Sequence, residues 1–234
     1  TGNEYIVKTI VTTETIRTIA EAQHIKMYDC FTGFKWIANV MRENEGKARY
    51  LGGGEESYGF LAEDFVRDKD SVSAISLMAE IAAWAKDKGL NMTNMLIDIY
   101  MKYGFSREKG ISLVRKGKSG AEEIIALMKQ FRENPPKEIA GSPVVTVKDF
   151  QSLVETNVAT GETKKLDMPA TSNVLQYYTA DRTKVSVRPS GTEPKIKFYI
   201  EVHDTLASAD EYKATEARAD EKINRIAKEF GITK

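Results

Sequence analysis

The pattern of hydrophobic residues changes once along this chain, at residues 134–143, and this change most constrains the fold. Residues 134–136 (Asn-Pro-Pro) and 141–143 (Gly-Ser-Pro) bracket the stretch, and proline there prevents a continuous helix. Before it, β-rich segments alternate with helical ones, whereas after it short strands follow one another between turns. The sequence therefore predicts two domains, residues 1–140 and 141–234.

The first domain is predicted to be an α/β domain with a mixed, largely parallel sheet and flanking helices. Residues 5–11 (Tyr-Ile-Val-Lys-Thr-Ile-Val) are typical of a buried strand. Alternation of strands and helices is the pattern that produces parallel strands joined by helical crossovers. Further strands are predicted at 24–28, 48–51 and 111–115, and helices at 15–22, 34–42, 71–88, 91–103 and 120–131.

The second domain is predicted to be a small α+β domain, an antiparallel sheet with a helix on one face. Turn residues at 159–161 and 180–182 separate some of its strands. A long helix at about 208–230 closes the chain. The strands are predicted at 144–147, 151–157, 173–178, 184–187 and 195–202.

Composition excludes several classes of function. Lys plus Arg and Asp plus Glu number 34 each, and this balance argues against a general nucleic-acid-binding protein, which needs a basic excess. Cys30 is the one cysteine, so no intrachain disulfide forms; it fits a cytoplasmic, reducing compartment and is expected to be a small buried hydrophobe. His24 and His203 lie far apart without a companion cysteine, so no zinc site is predicted.

A glycine-rich segment at residues 52–59 (Gly-Gly-Gly-Glu-Glu-Ser-Tyr-Gly) follows the short strand predicted at 48–51. Glycines allow a ligand to approach the backbone, and carboxylates and serine can form hydrogen bonds with sugar hydroxyls. Ligands usually bind at the carboxyl edge of an α/β sheet. The residues alone leave two interpretations open, a ligand-binding loop or a tight turn with solvated acids.

A second loop, at residues 187–195 (Val-Arg-Pro-Ser-Gly-Thr-Glu-Pro-Lys), joins two predicted strands. An Arg side chain binds phosphate through two parallel hydrogen bonds, and the Ser and Thr hydroxyls can donate more. Gly191 permits a turn whose backbone N–H groups converge on an anion. Prolines on both sides limit the loop's freedom, so less entropy is lost when a ligand binds. This mixture favours an anion site over an ordinary hairpin turn.

Three motifs together resemble the α-D-phosphohexomutases, the phosphoglucomutase/phosphomannomutase family. Arg-Pro-Ser-Gly-Thr-Glu-Pro at 188–194 resembles the family's phosphate-binding loop, and Gly-Glu-Glu-Ser-Tyr-Gly at 54–59 resembles its sugar-binding loop. Thr-Gly-Phe-Lys at 32–35 is similar to a further family signature. The motifs occur in the family's order, and residues 5–14 are similar to the opening of its third domain. The resemblance therefore spans essentially the whole chain.

The resemblance implies the third and fourth of four family domains. The family's phosphorylated serine and its Asp-rich magnesium loop belong to the first half, and neither motif occurs in this sequence. Because the chain also begins at Thr1 rather than Met, we expect a C-terminal fragment without mutase turnover of its own. Its expected partner is the missing N-terminal half of the same chain, and no nucleic-acid or membrane partner is expected.

The resemblance also implies a reaction, the interconversion of hexose 1-phosphate and 6-phosphate. The reaction passes through a phosphoserine and a bisphosphosugar, and the parent enzyme binds Mg²⁺ at a site outside this fragment. Glu55 and Ser57 are the implied contacts of the sugar hydroxyls. The phosphate that is not reacting is bound, by the same resemblance, by Arg188, Ser190, Gly191 and Thr192.

Lys35 has two interpretations. It resembles an active-site lysine that helps to manage the proton of the reacting hydroxyl. From its position at a strand-to-helix junction alone, an ordinary surface lysine on a helix is favoured.

Tyr58 marks a departure within the family, because phosphomannomutase-type members often have Gly and then His after the serine. The Glu-Glu-Ser pattern favours glucose or pentose phosphates, so a phosphoglucomutase is expected, with phosphopentomutase activity and dual glucose and mannose use left open. Outside the enzyme class, a stand-alone, non-catalytic sugar-phosphate-binding module is an alternative. A structural domain whose loops are only turns ranks last.

Overall fold

The computed structural model describes residues 2–115, 117–191 and 193–232. These residues form two compact units. The first unit ends at Gly104 and includes the short segment Leu206–Ala209, and the second begins at Phe105 and holds the remainder.

The first unit is built on a mixed sheet with the strand order β2-β1-β3-β4. Strand β1 pairs in parallel with β2 and β3, and β4 is antiparallel to β3. The elements are β1 (Glu4–Thr9), α1 (Thr15–Ala22), β2 (Lys26–Cys30), α2 (Phe34–Asn44), β3 (Arg49–Glu55), β4 (Gly59–Ala62), α3 (Ser71–Asp87) and α4 (Met92–Tyr103). The predicted α/β class is confirmed, although β4 was not predicted, because the glycine-rich segment before it was interpreted as a loop.

The core of the first unit lies between α2 and the sheet. Val7, Ile37 and Leu61 are almost fully buried, and each such side chain contributes about 1.5–3 kcal/mol relative to exposure. Cys30 joins this cluster, as expected, and its burial raises the pKa of the thiol to about 12. A thiol in this environment is mainly protonated at neutral pH and acts as a packing group.

The second unit is an antiparallel sheet with the order β5-β12-β11-β10-β7-β8-β9, and β6 pairs with β7. Its elements are β5 (Phe105–Val114), α5 (Gly117–Glu133), β6 (Glu138–Ile139), β7 (Ser142–Asp149), β8 (Val154–Asn157), β9 (Thr163–Lys165), β10 (Leu175–Thr179), β11 (Lys184–Pro189), β12 (Lys195–Asp204) and α6 (Tyr212–Glu229). Helix α5 packs on β11 and β12, and α6 packs on β12 and β5. The predicted antiparallel α+β class is confirmed.

Aromatic rings join these helices to the sheet. The ring centroids of Phe131 on α5 and Phe198 on β12 lie 6.0 Å apart. Phe230, which follows α6, lies 5.6 Å from Phe131 and 6.0 Å from Phe198. Contacts at these separations add about 0.5–1.5 kcal/mol each beyond the area they bury, so α5 and α6 share one hydrophobic layer on one face of the sheet.

The division between the compact units differs from the predicted domain boundary at residues 140/141. Strand β5 pairs with β12 along its whole length, from Phe105 opposite Asp204 to Val114 opposite Lys195. Residues 105–140 consequently belong to the antiparallel unit, and the proline-rich stretch after α5 is a connection inside it. Pairing between strands so far apart in the sequence cannot be recognised from local residue patterns. The prolines are a strong local indication of a chain break, and the predicted boundary was therefore set there.

Candidate functional site

The glycine-rich segment is mainly strand rather than loop. Gly52, Gly53 and Gly54 lie in β3, and the turn to β4 consists of residues 56–58. A Cβ atom on Gly53 would overlap the carbonyl oxygen of Val7 and lie 2.7 Å from the hydroxyl oxygen of Tyr50. The expectation that the segment forms a loop after a short strand is therefore wrong for its first half, where glycine is needed for close packing of the strands.

Glu55 is the last residue of β3 and lies beside the Thr-Gly-Phe-Lys motif at residues 32–35. Its Oε2 atom accepts a hydrogen bond of 3.0 Å from the backbone N–H of Gly33, the residue that precedes α2. Gly33 has a φ angle of 106°, which glycine adopts more readily than other residues. The structure thus brings together Glu55 and the Thr-Gly-Phe-Lys segment, which are separate in the sequence.

Ser57 and Tyr58 occupy the exposed part of the turn. Tyr58 has a φ angle of 63° and is fully exposed, an unusual combination for a large L-residue. The hydroxyl of Ser57 lies on the same exposed turn, where a ligand can approach it.

A cavity of about 610 Å³ adjoins this turn within the first unit. Its lining is mainly apolar and includes residues 52–54, Ile6 and Phe60, whereas Thr12, Glu55 and Tyr58 carry polar groups. A cavity of this size accommodates a small molecule. The candidate sugar contact Glu55 therefore borders a space large enough for a sugar.

Glu56 was not predicted as a site residue, yet it links the turn to the end of β1. Its Oε2 atom accepts hydrogen bonds from the hydroxyls of Thr9, at 3.0 Å, and Thr12, at 3.4 Å. Thr13, in the same segment before α1, accepts at its Oγ1 atom a hydrogen bond of 3.2 Å from the Thr15 N–H. The sequence offers no sign that Thr12 faces a turn more than forty residues away.

Charged side chains surround Lys8 beneath the same strand end. Lys8 is fully buried, and its Nζ atom lies 3.0 Å from Glu14 Oε1 and 2.9 Å from Asp29 Oδ1. Arg17 pairs with the same two carboxylates. A buried ammonium group is tolerated only with such partners, so this cluster fixes the position of the chain after β1.

Lys35 lies in the first turn of α2, where its side chain is exposed. Its Nζ atom is 5.3 Å from the centre of the Trp36 ring. Only Phe34 separates it from Gly33, so it belongs to the same segment that Glu55 contacts.

The loop predicted to bind phosphate, residues 188–194 and hereafter the phosphate loop, comprises the last two residues of β11 and the connection to β12 in the second unit. Hydrogen bonds within the loop define its shape: the Ser190 N–H donates to the carbonyl of Lys195 at 2.7 Å, and the Glu193 N–H donates to Ser190 Oγ at 3.3 Å. Gly191 is exposed at the tip, and Thr192 lies outside the described residues. The structure thus places Arg188 near the end of β11 and Ser190 and Gly191 in the connection that follows it.

Arg188 emerges from the polar face of its strand. Along β11, Lys184, Ser186 and Arg188 alternate with Val185 and Val187, so the first three point to one face. Lys197 lies directly opposite Arg188 on β12 and adds positive charge next to the loop.

The same face carries a buried ion pair. Lys184 Nζ lies 2.8 Å from Glu201 Oε2, and His203 Nε2 lies 3.2 Å from Glu201 Oε1. Burial acts to raise the pKa of Glu201, but the charge of Lys184 and a hydrogen bond with His203 outweigh it and lower the pKa to about 2. This carboxyl group is therefore ionised at any pH near neutrality.

Across residues 2–115, 117–191 and 193–232, His, Cys, Asp and Glu side chains do not gather in groups of three or more that could hold a metal ion. In the same residues, every helix is too short or too polar to cross a membrane.

Two family models match the chain. Residues 1–103 match the alpha/beta/alpha domain III of phosphoglucomutase/phosphomannomutase, and residues 127–219 match the C-terminal domain of the same family. Named relatives agree: the phosphoglucomutase of Staphylococcus haemolyticus is 33% identical over 202 residues, covering 86% of this chain and 36% of that protein. The phosphoglucomutase of Staphylococcus epidermidis is 34% identical over 198 residues, covering 85% of this chain and 36% of that protein.

Solved structures share the fold. The phosphoglucomutase pp63/parafusin of Paramecium superposes with a TM-score of 0.57 at 15% identity, over 95% of this chain and 38% of its own. A phosphoglucomutase/phosphomannomutase family protein of Burkholderia thailandensis gives 0.50 at 17% identity, over 97% of this chain and 38% of its own. At such identities the likeness concerns the fold alone.

The chain spans little more than a third of the length of the curated relatives it matches. Within that span, both family models and the motif order agree. The chain therefore belongs to the phosphoglucomutase/phosphomannomutase family and corresponds to the C-terminal part of its members.

Proposed function

We propose that this chain supplies the sugar-binding turn and the phosphate loop of a phosphohexomutase that interconverts glucose 1-phosphate and glucose 6-phosphate. The observation that carries the proposal is the hydrogen bond between Glu55 and the Gly33 N–H, which joins two family-like motifs beside a cavity of about 610 Å³. The presence of phosphoglucomutases among the relatives supports glucose as the preferred sugar.

In this proposal, Glu55 and Ser57 recognise sugar hydroxyls. A carboxylate accepts hydrogen bonds from hydroxyls, and a serine hydroxyl both donates and accepts. Glu55 is half-buried and held at one oxygen by Gly33, so its second oxygen can serve a ligand without a large loss of side-chain entropy. Ser57 lies exposed on the adjoining turn.

The phosphate loop binds the phosphate that does not react. Arg188 provides a planar group suited to two parallel hydrogen bonds with phosphate oxygens, and Lys197 adds charge from the opposite strand. Ser190 and Gly191 offer further donors at the tip, and Thr192 is assigned the same role from the sequence motif. Such a site holds the substrate while either of its ends takes part in the reaction.

The chemical step needs a phosphoserine that this sequence does not contain. In the proposed reaction, that serine transfers its phosphoryl group to the free hydroxyl of the sugar phosphate, a bisphosphosugar forms, and the other phosphoryl group then returns to the serine. Phosphoryl transfer depends mainly on positioning and charge stabilisation, and binding energy from remote groups can supply both. Lys35 is proposed to help manage the proton of the reacting hydroxyl.

The chain alone is proposed to lack turnover. Its partner in catalysis would be the N-terminal half of the parent enzyme, which we place in the cytoplasm. The Mg²⁺ of the parent enzyme is assigned, from the family resemblance, to residues outside this chain.

The proposal is tested by calorimetric titration of this chain with glucose 1-phosphate, glucose 6-phosphate and inorganic phosphate. Both sugar phosphates should bind more tightly than inorganic phosphate, and Arg188→Ala should weaken their binding by about 1.5–3 kcal/mol, the scale for hydrogen bonds to charged groups. Arg188→Lys keeps the charge but not the planar group, so its affinity for the sugar phosphates should lie between those of the wild type and Arg188→Ala.

Unchanged affinity in Arg188→Ala would contradict the role of the phosphate loop. If no ligand gives heat, the same titration on the longer parent chain decides: binding there means that the missing half completes the site, and its absence means that the loops are only turns.

A further inference from the structure

The turn at residues 56–58 is tied to the end of strand β1 through Glu56. Whereas Glu55 contacts the segment before α2, the Oε2 atom of Glu56 accepts from the hydroxyls of Thr9 and Thr12. The two neighbouring carboxylates are therefore anchored to different elements. Ser57 is the residue directly after these two anchored carboxylates.

The donors that hold Glu56 are themselves fixed. Thr9 is fully buried and Thr12 nearly so, and their hydroxyl oxygens lie 2.9 Å apart. The Nζ atom of Lys8 lies 3.5 Å from the Thr9 carbonyl oxygen and 3.4 Å from that of Thr12. Because Lys8 is buried between Glu14 and Asp29, the two hydroxyls cannot move without disturbing several charged groups.

The backbone of the turn needs such support. Tyr58 adopts a positive φ angle of 63° while its side chain is fully exposed, so packing of that side chain cannot stabilise the conformation. A conformation of this kind persists where surrounding contacts determine it. The hydrogen bonds of Glu56 are contacts of this kind, made one residue before Ser57.

We infer that Glu56 is a positioning residue for sugar recognition, acting through Thr9 and Thr12 to hold Ser57 and Glu55 where they meet the hydroxyls of a hexose phosphate. The inference rests on the proposed function of those two residues. Glu56 does not itself contact the sugar in this arrangement, since its Oε2 atom is directed to the end of β1. Its effect should concern the sugar part of the ligand and not the phosphate.

Glu56→Ala tests this role, with Glu63→Ala as the matched control. Glu63 is another exposed carboxylate of the first unit, paired with Arg49 at 2.8 Å, away from the turn. In calorimetry, Glu56→Ala should bind glucose 6-phosphate about five- to tenfold more weakly, as expected from the loss of hydrogen bonds to a half-exposed carboxylate. The affinity for inorganic phosphate should change by less than about twofold, because the phosphate loop is intact.

Conservative variants separate positioning from bulk stability. Glu56→Gln keeps an acceptor oxygen and should retain most of the affinity for glucose 6-phosphate. Thr9→Ser keeps the hydroxyl donor, so it should bind glucose 6-phosphate more tightly than Thr9→Val does. Amide hydrogen exchange should be at least about tenfold faster at residues 57–59 in Glu56→Ala than in the wild type, with the same melting temperature. If Thr9→Val fails to fold, Glu56→Ala decides alone, since Glu56 lies at the surface.

Three outcomes have distinct meanings. Selective loss of sugar affinity in Glu56→Ala, restored in Glu56→Gln, supports the inference. A wild type that prefers glucose 6-phosphate to inorganic phosphate, together with an unchanged Glu56→Ala, overturns the inference and leaves the proposed function standing. A wild type without that preference overturns the proposed function and the inference with it.

Discussion

The two candidate binding segments are both short connections between antiparallel neighbours, but they obtain their shape in different ways. The turn after β3 is held from outside, by Gly33 through Glu55 and by Thr9 and Thr12 through Glu56. The phosphate loop after β11 is held largely from within, by hydrogen bonds among residues 190–195 and by its prolines.

This difference explains why one segment was easier to interpret from sequence than the other. A loop whose shape depends on its own residues carries its chemistry in consecutive positions, as Arg188, Ser190 and Gly191 do. A turn held by distant partners does not, so Thr9 appeared only as part of a predicted strand and Thr12 only as a residue between that strand and a helix. The contrast predicts that substitutions far from the first segment alter it, whereas the second responds mainly to changes in its own strands and prolines.

The largest effect should come from the buried ion pair at the end of β11 and β12 that is far from the phosphate loop. Lys184→Met leaves Glu201 buried beside His203 without its lysine, and removing one partner of a buried pair costs about 3–5 kcal/mol of unfolding free energy. Because both tryptophans, Trp36 and Trp84, lie in the first unit, the loss is best measured by hydrogen exchange of the β11 and β12 amides. Tryptophan fluorescence should report little change.

The pH dependence of this variant gives a second measurement. The pKa of Glu201 is about 2 in the folded protein against 4.5 normally, so its contribution to stability is complete above about pH 4.5 and disappears as pH falls towards 2. Lys184→Met should lose much of this acid sensitivity in β11 and β12. A double change, Lys184→Met with Glu201→Leu, should recover most of the stability. If Lys184→Met keeps the acid sensitivity of the wild type and the double variant recovers no stability, the role given to the pair is contradicted.

A smaller loss is expected from Gly53→Ala in the first unit. The new methyl group would overlap the Val7 carbonyl oxygen, and overpacking of this kind costs about 1–3 kcal/mol. Urea unfolding followed by fluorescence of Trp36 and Trp84 measures it. Gly52→Ala is the matched control, because Gly52 lies in the same strand of the first unit but a Cβ atom there would come no closer than 3.4 Å to a neighbouring atom; equal stability losses in the two variants would refute the packing argument.

The sequence predicted the fold class of both units and the bounds of α1, because hydrophobic periodicity is a local property. It did not predict that β5 pairs with β12 or that β4 follows the glycines, since both depend on contacts between distant segments. At the site, the motif residues were identified from the sequence, but their supports were not. Lys8, Thr9 and Thr12 sit in an ordinary β-branched strand and turn, and only the folded chain shows what they hold.

The smallest effect concerns the internal order of the phosphate loop and tests the comparison most directly. Pro194→Ala removes a restriction on the unfolded chain and should cost about 0.4–1 kcal/mol of stability in the second unit, while the hydrogen bond from the Arg115 N–H to the carbonyl of residue 194, 2.9 Å long, can remain. A looser loop should also bind sugar phosphate and inorganic phosphate more weakly by the same factor, since the phosphate part of the ligand is affected.

Glu56→Ala should instead weaken the binding of the sugar phosphate alone. Calorimetry on the two variants side by side would separate a loop ordered by its own residues from a turn ordered by its neighbours, and an identical ligand profile in both would show that the two segments do not differ in this way.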